Sequence, residues 1–291
     1  MIKVKANAKI NIYLNILEKR KDNYHNISSV MQSIDLSDDL IFFKKSSGIK
    51  IVCNDLNLPL DERNLIYKSA ELLITKFFKL DSLGVLIILK KRIPIASGLG
   101  GGSADAAATL IGINKLLNLD LSDSELLKIG SSIGSDVPFC LIGGTAIVEG
   151  KGEKISPLES LEDIWIVLMK PSYNLLTKDI YKKYDKIGSP CLNDIDKFMK
   201  SFSEKELLKK FSMIENCLEK IVEKDHETIS ILKKKAMESG ALAAVMTGSG
   251  PTVVALCEDF DSALKVYSKL SKEVDEIYIS KTCSKGVEIF S

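Results

Sequence analysis

The stretch PIASGLGGGSADAAATL, Pro94–Leu110, holds four glycines in the five positions Gly98–Gly102, interrupted only by Leu99. A serine and a run of alanines follow directly. Glycine lets the backbone reach positive φ and lets a ligand approach bare N–H groups. Alanine is the best helix former, so a helix is predicted from about Ser103 to Leu117. The first N–H groups of a helix have no intrahelical partner and lie at the positive end of its dipole. A bare turn at that point is an anion site, and phosphate is its usual occupant. Ser103 adds a hydroxyl at the cap. The same residues suit a tight strand–helix turn whose small side chains allow close packing, but the density of glycine favours phosphate. No Gly-Lys-Ser/Thr follows, so this is not a Walker A loop. No acidic residue ends a second strand about 20 residues on, so it is not the dinucleotide fingerprint either.

Working outward, GVLIILKKRIP reads as a strand stopped by Pro94. The first 55 residues read as strands. In KINIYLNI, Ile10, Ile12, Leu14 and Ile16 alternate with Lys9, Asn11, Tyr13 and Asn15, which places the two sets on opposite faces. LIFFKK and IKIVC are further short strands, and RNLIYKSAELLITKFF has helical spacing. Ser122 with Glu125 forms a capping box that opens another helix. GGTAIVEGKGE returns to strand and turn. Beyond about Lys154 the composition shifts: WIVLMKP is a strand, residues 177–239 are lysine-rich and mostly helical, and a helix and a strand close the chain. A second glycine turn, MTGSGPTVV, lies between two apolar strands. Hairpin-like neighbours outnumber what a doubly wound sheet would show, so an α+β fold is expected, with lobes at 1–155 and 156–291.

The 291 residues carry 40 basic and 39 acidic side chains, a net charge of +1, which gives no electrostatic reason to expect nucleic acid or a membrane as partner. The six cysteines (Cys53, Cys140, Cys191, Cys217, Cys257, Cys283) form no CxxC pair and only two histidines are present, so no zinc site is expected. Such scattered cysteines suit reduced thiols in a cytosol. The start shows no apolar run of signal-peptide length, and no segment reaches membrane-spanning length. A soluble cytoplasmic protein is expected, monomer or homodimer.

KANAKINIYLNI, PIASGLGGGSADAAATL and MTGSGPTVVAL resemble, in order and spacing, the three motifs of the GHMP small-molecule kinase superfamily. The resemblance covers nearly the whole chain. KDNYHNISSVMQSID and GSDVPFCLIGGTAIVEGKGE narrow it to the branch that acts on a cytidine-diphosphate polyol in the non-mevalonate isoprenoid pathway. It implies a two-lobed fold with a ribosomal-protein-S5-like N-terminal lobe, an α/β C-terminal lobe, and an active site in the cleft between them. ATP would be the co-substrate, with Mg²⁺ held mostly by phosphate oxygens and water.

Phosphoryl transfer asks a protein for positioning and charge compensation. Lys9 and Asp136 match the family's catalytic positions: the carboxylate would take the acceptor's proton and the lysine would hold both in place. The resemblance puts Tyr24 and His25 on the cytosine, with Tyr181 as the second aromatic face and Asn11 and Thr177 as further substrate contacts. Pro94, Ser97, Gly98, Leu99, Gly100, Gly101, Gly102 and Ser103 would form the nucleotide phosphate site, while Asn64 and Lys91 match positions near the adenine. Bland alternatives stand beside these: a solvated strand lysine, a helix-capping aspartate, a turn tyrosine, a helix-start asparagine. His226 reads as a surface residue. Two departures from the family pattern are Ala104, where many relatives have a second serine, and Leu176, where relatives often have one. Homoserine- or mevalonate-type kinases would not need the Tyr24–His25 pair, and a binding protein without turnover would not need both Lys9 and Asp136.

Overall fold

The structure, a computed structural model, describes residues 1–188 and 194–290. Two long strands, β1 (Ile2–Lys19) and β2 (His25–Lys45), form a hairpin that is the spine of the first sheet. β3 (Gly48–Cys53), α1 (Leu65–Phe77), β4 (Gly84–Lys90), α2 (Gly101–Leu117), α3 (Asp123–Ile133), α4 (Val137–Ile142), β5 (Thr145–Gly150) and β6 (Lys154–Pro157) follow. The chain then runs through β7 (Trp165–Lys170), α5 (Thr177–Ile187), α6 (Ile195–Phe202), α7 (Leu207–Lys210), β8 (Glu215–Asn216), α8 (Glu219–Glu223) and α9 (Thr228–Glu238). It closes with β9 (Ala243–Met246), β10 (Val253–Cys257), α10 (Phe260–Leu270), β11 (Glu276–Lys281) and β12 (Val287–Phe290). The expected capping box at Ser122 and Glu125 is present.

The first sheet has the order β12-β1-β2-β4-β3, with β5 and β6 continuing from β2 and β8 added to β1. The length of β2 lets it serve two partners on one edge: Ile27–Gln32 pair with β5 and Asp39–Lys45 with β4. The sequence pattern yielded only LIFFKK of this strand. Ser28, Ser29, Gln32, Ser33 and Asp38 are buried and break the apolar alternation, and hydrogen bonds rather than apolar contact hold several of them. The second sheet, β11-β7-β10-β9, is entirely antiparallel. Two apolar cores form, and each draws on both sheets: Ile166, Leu168, Val254 and Leu256 of the second sheet join the first core, and Leu14, Ile16 and Ile27 of the first sheet join the second. The split expected after residue 155 falls inside β6, which belongs to the first sheet. β8 and β12 also return to that sheet.

Helix α2 lies against the β1–β2 hairpin with Ala104, Ala106, Ala107 and Ala108 fully buried. A Cβ at Gly112 would come within 2.4 Å of the Phe42 ring, so the small-residue run does bring helix and sheet close. Burying a ring such as Phe42 contributes about 1.5–3 kcal/mol. The close-packing reading and an anion site at the helix start are therefore compatible. Cys53, Cys140, Cys257 and Cys283 are free thiols, whereas Cys217 is disulfide-bonded, against the expectation of reduced thiols throughout; Cys191 lies outside the described residues. Among the described residues no helix is long and apolar enough to cross a membrane.

Candidate active site

Strand β1 leaves part of its outer edge uncovered by strands. β12 pairs with Lys3–Ala6 and β8 with Tyr13 and Leu14. Between them the pairing with β2 shifts register around Lys9 and again between Asn11 and Tyr13. Bulges of this kind re-aim side chains and free backbone groups. Both glycine turns dock here: Lys9 N–H donates to the Leu99 carbonyl (3.0 Å), and Asn11 N–H to the Thr247 hydroxyl (2.8 Å). Thr252 N–H donates to the Ser97 carbonyl, which ties the second turn to the first.

The face of β1 that carries Lys9, Asn11 and Tyr13 is therefore interior rather than solvated. Lys9 is buried; its ammonium donates to Asn11 Oδ1 (2.7 Å) and lies 3.4 Å from Asp136 Oδ2. Asn11 Nδ2 donates in turn to Ser29 Oγ. Asp136 occupies the N-cap position of the short helix α4, yet its side chain makes no capping bond. It turns to Lys9 instead and stays about one-third exposed, at 31%. The solvated-lysine and capping-aspartate alternatives do not describe this geometry. A Cβ at Gly100 would meet Lys9 Cγ at 2.8 Å, and one at Gly248 would lie 3.4 Å from the ammonium. Both turns thus face the ion pair.

The first turn coils through positive φ at Ala96, Gly98 and Gly100 before entering α2. Ser97 Oγ donates to the Pro94 carbonyl (2.7 Å) and accepts from Leu99 N–H, which pins the approach. Gly100 is the left-handed N-cap and provides no side-chain cap. Gly101 and Gly102 N–H find no protein acceptor among the described residues. No acidic residue occupies the first turn. Ser103 is half-buried beside them and Ala104 is packed inward, so only the former is placed for an anion.

At the far end of the hairpin, Tyr24 is 54% exposed, with the Lys151 ammonium 5.3 Å from its ring centre. His25 is buried. Its Nε2 bonds Asp185 Oδ1 (2.7 Å), and its ring packs on Tyr181 (5.4 Å) and edge-on to Tyr184 (6.0 Å). Lys19 and His25 hold the Asp185 carboxyl below its usual range. Burial pushes the Tyr181 hydroxyl up. The structure thus joins His25 and Tyr181, whereas no ring contact joins Tyr24 to Tyr181 among the described residues. Thr177 opens α5 and its hydroxyl meets Ser249 Oγ (2.9 Å) on the second glycine turn, while Leu176 points outward.

Two expected nucleotide contacts are engaged elsewhere. Asn64 caps α1, accepting from Ile66 N–H and donating to the Pro59 carbonyl, as a helix-start asparagine does. The ammonium of Lys91 is buried and paired with Asp38 and Asp105 (3.0 Å to the latter), so its charge is committed inside the protein. His226 is not a bare surface residue either; it stacks on Tyr173 at 4.3 Å. Sequence reasoning missed Asn216, whose amide donates to the Met246 and Gly248 carbonyls and holds the second turn from behind. A two-residue strand gives no periodicity to signal it. Thr247, Ser249 and Asp185 were also missed, although the first two lie inside the quoted second turn. Among the described residues no group of three or more His, Cys, Asp or Glu side chains gathers as a metal site.

Comparison with known proteins finds two family matches: the GHMP kinases N terminal domain over residues 64–144 and the GHMP kinases C terminal domain over residues 192–276. A 4-diphosphocytidyl-2-C-methyl-D-erythritol kinase of Caldanaerobacter subterraneus subsp. tengcongensis is 42% identical over 288 residues, 99% of each chain. One from Clostridium tetani is 43% identical, over 97% of this chain and all of its own. A crystal structure of a 4-(cytidine 5'-diphospho)-2C-methyl-D-erythritol kinase superposes with a TM-score of 0.79 at 26% identity, covering 96% of this chain and 98% of the other. A homoserine kinase from Cytophaga hutchinsonii shares the fold, with a TM-score of 0.76 at 21% identity over 99% of this chain and 97% of its own.

Proposed function

This chain belongs to the GHMP kinase family, and on that premise we propose that it transfers the γ-phosphoryl group of ATP to a hydroxyl of 4-diphosphocytidyl-2-C-methyl-D-erythritol, in isoprenoid precursor synthesis. The observation that carries the mechanism is the ion pair between buried Lys9 and partly exposed Asp136, 3.4 Å long and facing both glycine turns. Asp136 takes the proton of the attacking hydroxyl. Lys9 holds the carboxylate aimed, its ammonium 3.4 Å from Asp136 Oδ2. Gly101 and Gly102 N–H bind phosphate oxygens at the start of α2, with the Ser103 hydroxyl beside them. Mg²⁺, if carried in by the triphosphate, would offset its charge; among the described residues no group of three or more His, Cys, Asp or Glu side chains gathers to hold it, so phosphate oxygens and water would be its ligands.

The cytosine end is formed by Tyr24, His25 and Tyr181. With Nε2 occupied by Asp185, only Nδ1 and the backbone of His25 are left to read a base edge. Tyr24 supplies an accessible ring face for stacking. Thr177, fastened to Ser249, and Asn11 line the path between base and phosphate ends. The decisive experiment is turnover by the purified protein with ATP and, separately, the cytidine compound, homoserine and mevalonate. Phosphorylation of the cytidine compound alone is expected. Preference for either other acceptor would move the protein to another branch, and absence of turnover on all three would leave a binding protein.

A further inference from the structure

Beneath the first glycine turn lies a cluster that the mechanism leaves unused. Lys91 Nζ sits between Asp38, on β2, and Asp105, one helical turn after Gly101 on α2. Asp38 is fully buried and also accepts from the N–H groups of Arg92 and Ile93, the residues that lead into the turn. A Cβ at Gly101 would lie 2.8 Å from the Lys91 ammonium, so the cluster touches the first residue of the anion-binding turn from below. Two carboxylates face one ammonium. Asp105 is 2% exposed, and its Oδ1 finds no hydrogen-bond partner among the described residues. An ionised carboxylate oxygen left without a donor in the interior is strongly unfavourable. A second buried negative charge directly behind a phosphate site would also repel the ligand.

We propose that Asp105 carries a proton beneath the phosphate turn and is a positioning residue for the nucleotide phosphates, a role that rests on the ATP-dependent reading above. With that proton the cluster is neutral. Lys91 and Asp38 then anchor the turn without opposing the triphosphate. The other groups facing Asp105 leave this balance intact: the Cys53 thiol at the end of β3 and the Cys140 thiol on α4 are both pushed up by burial and stay uncharged at neutral pH. Burial also pushes the Asp105 carboxyl up, to about 8, with Lys91 opposing and Asp38 reinforcing the shift.

The sign follows from linkage. Bound phosphate favours the protonated acid, so the acid's value is higher in the complex than in the free protein. ATP affinity is then full below about 8 and is lost as pH rises through the complex's higher value. The test is titration calorimetry with a non-hydrolysable ATP analogue at several pH values, in buffers of different ionisation enthalpy. Near pH 8 the unaltered protein is expected to take up a proton on binding, and affinity should weaken roughly tenfold for a one-unit difference between the two forms. Asp105→Asn, which fixes the uncharged state, should remove both the uptake and the alkaline fall beyond what the analogue's own ionisation gives. Adenosine, without phosphates, should show neither. Identical proton uptake by the unaltered protein and Asp105→Asn would overturn the inference alone. Failure to bind the analogue at any pH would overturn it together with the functional reading.

Discussion

On the proposed mechanism, Asp136 is the residue on which the chemistry turns. Asp136→Asn keeps the shape and removes the base, so kcat is expected to fall roughly 10²–10⁴-fold while the fold persists. Near-normal turnover would remove Asp136 from the role. Lys9→Ala should fall in the same direction, and the double variant little further, because paired groups act as a unit; steady-state kinetics on the three variants checks this. At the other end, Tyr24→Ala should weaken binding of the cytidine compound by about 1–3 kcal/mol, the scale of base–aromatic stacking, with Tyr24→Phe nearly neutral. Calorimetric titration with that compound and with an ATP analogue decides it, since loss of ATP binding instead would mean the ring serves the wrong ligand. The family resemblance pointed to Lys9 and Asp136, and the structure brings their side chains together. For Lys91, sequence gives a position at a strand end but not the partners its charge finds: Asp38 is 53 residues away along the chain.

Elements carry the next level of control. Gly102 is exposed in the first turn of α2, and a Cβ there would touch only Leu65 Cδ1, at 3.9 Å. Gly102→Ala should therefore raise stability by about 0.5–1 kcal/mol through helix propensity. It should nonetheless weaken ATP binding, because the methyl stands where phosphate approaches the N–H groups. A thermal melt with an ATP titration separates the two effects; a variant that is more stable and binds ATP normally would show that phosphate sits elsewhere. Asn216 makes the opposite case. It is buried and satisfies two carbonyls of the second turn, so Asn216→Ala should cost about 1–3 kcal/mol. Turnover should fall with it, since Gly248 lies over Lys9. Wild-type kcat well below the variant's Tm would uncouple that turn from catalysis. Helix α2 and strand β4 were legible because local propensity and tertiary packing agree there. The full extent of β2 was not, because its buried serines and Gln32 follow a hydrogen-bonding demand rather than a hydrophobic period.

Across the whole molecule the first sheet is assembled from distant parts of the chain. β12 pairs with β1, Asn7 Nδ2 donates to the Lys285 carbonyl and Glu288 Oε1, and Gly286 packs on Gly143. Ending the chain after Gly286 should uncover the edge beside Val4 and Ala6, lower Tm and promote association through the unpaired strand. Melting and light scattering test this, and an unchanged Tm would show that β12 contributes nothing to the lobe. None of these pairings has a local signature, which is why the return of β8 and β12 to the first sheet was not legible in the sequence. The consequence reaches back to the ribosome. Translation at roughly 5–20 residues per second leaves β1 exposed at the tunnel mouth for tens of seconds before its outermost partner is even polymerised. Throughout that interval the nascent chain offers an open edge to any neighbouring polypeptide, so this protein's yield in a cell should depend on holdase chaperones more than its finished architecture would suggest.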